Sequence, residues 1–227
     1  MDNNQYLNIK INDHDILFTG YRMRPKKIIK YEIVSFFGRL LSQKIRKSKN
    51  KYIQLGCGEN LPKNFDNIDF FPTKIRDIKS IKHICHDLRY TLPYEDNTFD
   101  GGFSEHTIEH FYYNEAINLL KETKRILKPN SIFRITVPDL GKYIDFYSGN
   151  ISNSFFDKFD YKAQAFWNLT QNYTHKSIWN YELLSDKIKE IGFKEVVEKK
   201  FNEGENPNLL LDLESRKFET LYIECKS

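Results

Sequence analysis

Gln54-Leu55-Gly56-Cys57-Gly58-Glu59-Asn60, directly after Tyr52-Ile53, is the stretch that decides the fold. A short apolar run gives way to two glycines one residue apart, which lets the backbone turn sharply and lets a ligand approach it closely. A lone G-x-G is as much at home in a structural turn, so the neighbouring elements carry the weight. Downstream lie further short runs of strand character: Asn67-Ile68-Asp69-Phe70, His83-Ile84-Cys85, Gly101-Gly102-Phe103-Ser104 and Ile132-Phe133-Arg134-Ile135-Thr136-Val137. Apolar residues at helical spacing predict a helix over 114–127, ended by Lys128-Pro129-Asn130, and another over 181–191 with Asn180 as N-cap and Gly192 as stop. This alternation predicts an α/β fold with a mostly parallel sheet and helices on both faces.

The tail adds strands at 194–198 and 218–225, joined by a polar loop that suits an antiparallel edge. Upstream, residues 6–18 read as a β-hairpin around Asn12-Asp13-His14-Asp15. After Pro25, Ile28, Ile29, Ile33, Phe36, Phe37, Leu40, Leu41 and Ile45 fall on one stripe of an amphipathic helix, expected to be buried. The other face is basic: residues 22–51 hold eleven Lys or Arg against Glu32 alone, leaving 24 basic and 30 acidic residues elsewhere. Such a face is ordinarily solvated, with peripheral contact to an anionic membrane or lipid-linked substrate, or to nucleic acid, as the other readings. The acidic body is ill suited to track a phosphate backbone, so nucleic acid is not the expected partner.

At 227 residues, 40% hydrophobic, the chain is read as one domain. Its parts are an N-terminal arm at 1–50, a ligand-binding core at 51–140, an aromatic-rich cover at 141–180 and a C-terminal helix and strand pair at 181–227. The start lacks a secretory pattern and no apolar run reaches the roughly 20 residues of a spanning helix, so a cytoplasmic protein is expected. Cys57, Cys85 and Cys225 are read as free thiols.

Asp69 ends the second run, where an acid can accept from both hydroxyls of a ribose, and Asp87 follows the third, placed to accept from an adenine amine. The ordered set resembles the class I S-adenosylmethionine-dependent methyltransferases, particularly the type 11 group. Residues 54–60 look like their glycine motif, 67–70 their ribose acid, 86–88 their adenine contact and 99–106 their fourth motif, while Leu127-Lys128-Pro129-Asn130-Ser131 resembles the turn before their fifth strand. The resemblance implies a Rossmann-like seven-stranded sheet with an antiparallel C-terminal strand. It implies S-adenosyl-L-methionine as cofactor and S-adenosyl-L-homocysteine as product. It places cofactor contacts at Gln54, Gly56, Cys57, Gly58, Glu59, Asn60, Asp69, Phe70, Asp87, Leu88, Ser104 and Glu105.

Two departures stand out. Asn60 replaces a third glycine, and Gly58 to Asp69 leaves room for only a short turn where the family has a helix of about three turns. Similar shortened forms, with a segment like Val137-Pro138-Asp139-Leu140, look like methyltransferases of surface-polysaccharide pathways, which implies a small or sugar-linked acceptor.

His106-Thr107-Ile108-Glu109-His110 fits the H-x-x-E-H pattern of inverted zinc metallopeptidases. It follows a strand rather than lying in a long helix, and no third ligand is evident, so no metal is expected. The resemblance instead puts His110, then His106, near the reactive methyl, one of them as base, unless they merely order the loop. His175 is the other candidate base, and Arg216 and Asp139 could orient a polar acceptor. The rival readings are an RNA or protein methyltransferase recruiting through the basic arm, and a non-catalytic binding protein.

Overall fold

The computed structural model describes residues 45–70 and 83–227, together with Ile29, Glu32, Ile33 and Phe36. Its strands are β1 (Tyr52–Leu55), β2 (Phe65–Asp69), β3 (His83–Cys85), β4 (Phe99–Glu105), β5 (Leu127–Pro138), β6 (Lys194–Lys199) and β7 (Thr220–Lys226). They form one sheet in the order β3-β2-β1-β4-β5-β7-β6. β1 to β5 run parallel, and β7 lies antiparallel between β5 and β6. The order turns back between β1 and β4, and at such a switch point the carboxyl ends of the strands leave a crevice for ligand.

Four helices follow: α1 (Tyr113–Ile126), α2 (Leu140–Ser148), α3 (Lys162–Thr170) and α4 (Tyr181–Ile191). Alternation along the strands divides the apolar residues between two faces. Ile53, Leu55, Ile68, Phe133, Ile135 and Val137 share a core with Leu119 and Leu120 of α1 and Leu184 and Ile188 of α4. Each fully buried Ile, Leu or Phe contributes about 1.5–3 kcal/mol, so this face is the main hydrophobic one. On the opposite face Phe65 and Phe103 meet Leu209, with Tyr52, Ile132 and Leu211 around them. There the cover comes from the 200–219 tail and its short helical turns at Pro207–Leu209 and Glu214–Arg216.

That polar tail is held by Arg134 of β5, which is fully buried. Its guanidinium donates from Nε and Nη2 to Asp212 at 2.8 and 2.6 Å, and from Nη1 to Glu224 at 3.2 Å. The Glu203 and Lys200 carbonyls take the remaining two N–H groups at 2.8 and 3.1 Å. All five donors of the fork are satisfied, the condition under which a buried charge is tolerated.

Several boundaries move. α1 ends at Ile126 and Leu127 opens β5 at once; Lys128, Pro129 and Asn130, the last at φ +63°, belong to an irregularity where the β4–β5 register jumps from Phe99↔Leu127 to Gly101↔Ile132. The α4 reading holds, with the Asn180 side chain accepting from Leu183 N at 3.0 Å and Gly192 left-handed at φ +99°. The aromatic stretch without clear periodicity contains α2 and α3, which share a satellite core of Tyr143, Phe146, Phe156, Phe159 and Leu169. The hairpin at 6–18 lies outside the described residues. The buried stripe expected on the basic helix does not appear at Ile29, Ile33, Phe36 and Ile45, which are 52–61% exposed. Among the described residues, no helix is long and apolar enough to cross a membrane.

Candidate active site

The turn after β1 folds back onto β2. Gly56 and Cys57 donate their N–H groups to the Ile68 carbonyl at 2.8 and 3.2 Å, and Asn60 N donates to Cys57 O at 2.9 Å. Gly56 and Gly58 hold φ of +67° and +50°, conformations that L side chains resist. Gly58 N donates to Asp69 Oδ2 at 2.8 Å, fixing the carboxylate at the rim, while His86 N donates to Asp69 O at 3.1 Å and draws the Asp87 segment alongside. Gly56, Gly58, Asp69 and Asp87 therefore converge at the carboxyl ends of β1 to β3. No helix intervenes between β1 and β2, as the short spacing predicts.

A Cβ on Gly58 would meet nothing within 4 Å, so the turn offers its backbone to open space. A Cβ on Gly56 would stand 2.2 Å from Thr107 Oγ1. The segment after β4 thus rests directly on the glycine turn.

Other predicted contacts are distributed differently. Both Asp87 oxygens are taken by Arg89, whose Nη2 approaches Oδ2 at 2.6 Å and whose Nη1 reaches Glu32 at 2.9 Å. Leu88 is part of the core, Glu59 is exposed, and Asn60 and Phe70 are half-buried. Cys57 is buried, and desolvation, with the Asp69 charge adding to it, pushes its thiol up to about 12, leaving it an unreactive SH. Gln54 and Ser104 are buried with an unpartnered Oε1 and Oγ. Glu105 turns to the tail and accepts from Leu213 N at 2.9 Å; burial raises its pKa.

The H-x-x-E-H segment forms a 3-10 turn, Ile108–His110, beyond β4, with His106 left-handed at φ +46°. Strain of this kind, about 1–3 kcal/mol, persists where the surroundings enforce it. Lys176 N and Ser177 N both donate to Glu109 O, at 2.7 and 3.1 Å, which stitches the 172–177 loop onto the turn and delivers His175 to it. Three imidazoles then surround Glu109 Oε1: His106 Nδ1 at 3.7 Å, His110 Nε2 at 4.0 Å and His175 Nε2 at 4.0 Å. The His110 and His175 rings meet edge to face, 4.9 Å between centroids.

Burial sets the charge states. It lowers all three histidines, His110 to about 3 with the neighbouring His175 adding to the effect, so the imidazoles are neutral at pH 7. It pushes Glu109 up to about 8. Neither Glu109 oxygen has a hydrogen-bond partner, although the side chain is only 2% exposed.

Residues 53–135, from β1 into β5, match the family described as Methyltransferase domain. A methyltransferase from Archaeoglobus fulgidus, described as SAM dependent, is similar in structure: TM-score 0.51 and 18% identity, over 87% of this chain and 94% of that one. So is a chain of the complex between the Haloferax volcanii Trm112 methyltransferase activator and the putative methyltransferase, at TM-score 0.50 and 13% identity over 89% and 94%. These likenesses carry the fold. No curated protein matches the chain. The match spans the glycine turn and the first five strands, and the fold around it is the one these structures share.

The observed turn fits S-adenosylmethionine, the cofactor that match implies: an open glycine backbone stands beside a rim carboxylate, and Gly56, Gly58 and Asp69 would hold the adenosyl group. That cofactor supplies a methyl carbon already bonded to cationic sulfur. Asp139 caps α2, its Oδ1 accepting from Gly141 N at 2.9 Å. Arg216 is half-buried, and its charge acts on Glu105, Glu109 and all three cluster histidines. Sequence reasoning missed Thr107 as the contact that demands Gly56, and it missed the buried chain in which Tyr143 donates to Glu219 and Asn168 donates to Tyr143 at 2.9 Å. A glutamate just before a β-strand gives no such signal; the pairing joins residues 76 apart.

Proposed function

We propose that the chain is an S-adenosylmethionine-dependent methyltransferase acting on a hydroxyl group of a small or sugar-linked acceptor, a reaction suited to surface-glycan assembly. The observation that carries the reading is the contact of Thr107 with the Gly56 turn, which sets the imidazole cluster beside the cofactor backbone. Displacement at a sulfonium carbon needs no acid. The protein's tasks are to align the acceptor, worth about 7–11 kcal/mol in favourable cases, and to take the hydroxyl proton as attack develops.

His110 is the base in this reading. It is neutral, and at 34% it is the most exposed imidazole of the cluster, whereas His175 and His106 are 6% and 7% exposed. An imidazolium forming at His110 would lie 4.0 Å from Glu109, whose ionisation, held back to about pH 8 by burial, it would favour. Aromatic faces flank the cluster and suit a sugar ring with apolar faces and polar edges. Tyr173, exposed, has its ring 6.2 Å from His175, and Lys176 Nζ lies 4.7 Å over exposed Tyr112. In this reading the 141–180 segment serves as the acceptor-side cover.

The test is a panel of nucleotide sugars, glycans and RNA with isotope-labelled methyl donor, followed by mass spectrometry of the product. With the acceptor in hand, His110→Ala should lower turnover about 10²–10⁴-fold and leave S-adenosylhomocysteine affinity unchanged. Label appearing only in RNA, or full turnover by the variant, overturns the proposal.

A further inference from the structure

We infer that Glu109, His110 and His175 form a binding site for one divalent transition-metal cation just beyond the carboxyl end of β4. One ligand atom from each lies within 4.8 Å of the others. The sequence pattern offers two histidines and a glutamate but no third imidazole beside them; the loop stitched to Glu109 O brings in His175 from 65 positions beyond His110.

Hydrogen bonds fix which nitrogens carry lone pairs. His175 Nδ1 lies 2.8 Å from the Leu169 carbonyl, which can only accept, so Nδ1 carries the proton and Nε2 presents its lone pair to Glu109. An imidazole oriented by N–H donation to a carbonyl is the usual arrangement behind a metal ligand. Thr220 Oγ1 spends its hydrogen on Arg216 O at 2.7 Å, so His106 Nε2, 2.7 Å from that oxygen, must donate to it and His106 Nδ1 is also bare towards Glu109. Lone pairs therefore converge on a carboxyl group that is 2% exposed with both oxygens unpartnered. A buried carboxyl left without donors calls for a group the chain does not supply.

The dimensions and charge are close to what an ion needs. Ligands about 2.1 Å from a tetrahedral ion stand about 3.4 Å apart, so the three side chains, now within 4.8 Å of one another, would draw together around it. Glu105 and Glu219 add negative charge around Glu109, and Arg216 opposes them. Imidazole and carboxylate together favour zinc, iron, cobalt or nickel over magnesium. With the ion bound, His110 would serve as a ligand and not as the base, and the position left open by three protein ligands would take water or an oxygen of the acceptor, whose hydroxyl acidity the ion would raise. That last consequence rests on the proposed hydroxyl acceptor; binding of the ion does not.

Chelator-treated full-length protein should bind one Co²⁺ per chain, with visible bands of a nitrogen- and oxygen-ligated ion and no thiolate charge-transfer absorption. Glu109→Gln and His175→Ala should each weaken binding at least about tenfold. Should those buried variants not fold, His110→Gln, at the most exposed ligand, must show the same loss, and proton NMR of the cobalt form must show two shifted imidazoles. No stoichiometric uptake, or uptake untouched by His110→Gln, overturns the site. Calorimetry with S-adenosylhomocysteine on the same samples separates the claims: cofactor binding without Co²⁺ uptake defeats only the metal site, and uptake without cofactor binding defeats only the transferase reading.

Discussion

At Gly56 two demands coincide: a φ of +67° and the presence of Thr107 where a Cβ would go. Gly56→Ala is expected to cost roughly 2–4 kcal/mol, the sum of left-handed strain and overpacking, read by urea unfolding. Gly58→Ala, with open space around its Cβ, should cost about 1–2 kcal/mol. Its larger effect should be on S-adenosylhomocysteine affinity, because the added methyl occupies the ligand's side of the turn. His86 offers a pH test. Burial lowers its pKa below the ordinary value, and Nε2 has no partner. The unfolded chain takes the proton near pH 6.5 while the folded one resists it, so stability holds above about pH 6.5 and falls as the pH drops below it. His86→Gln should make that acid-side slope shallower, by at most about 1.4 kcal/mol per pH unit. An unchanged slope would rule out a neutral, desolvated His86.

Among the elements, β5 is the one whose sequence reads ambiguously. An arginine between Phe133 and Ile135 sits in a central strand flanked by β4 and β7, which gives its side chain no edge to escape from. It is legible in sequence that this charge must find acids; it is not legible that they are Asp212 and Glu224, one on the tail and one on β7. Because the tail replaces a helical layer over Phe65 and Phe103, Arg134 does what apolar packing does on the other face. Arg134→Ala would leave two buried carboxylates uncompensated and should destabilise by about 3–5 kcal/mol. Hydrogen exchange should show the 200–213 backbone losing protection before α1 and α4 do. Equal loss across the sheet would mean the clamp is not local.

For the whole molecule, a cofactor held by Gly56, Gly58 and Asp69 would couple β1 to β3 at one rim, so its binding should be felt as global stability. S-adenosylhomocysteine at about a hundred times its Kd should raise the unfolding free energy by about 2.7 kcal/mol, and Asp69→Ala should remove most of that gain. Gln54 to Asn60, Asp69 and the alternation of strand and helix patterns determined the sheet, its parallel core and the cofactor, because strand periodicity and glycine turns are local and act within a few residues. α4 with its Asn180 and Gly192 caps was legible for the same reason. The tertiary structure alone decided that His175 joins Glu109, that Thr107 fills the space Gly56 leaves, and that Asp87 is held by Arg89. The first two are contacts between distant segments, set by how loops cross the end of the sheet. The third joins close neighbours, but the choice of that partner depends on the charges gathered around it, which no spacing along the chain encodes.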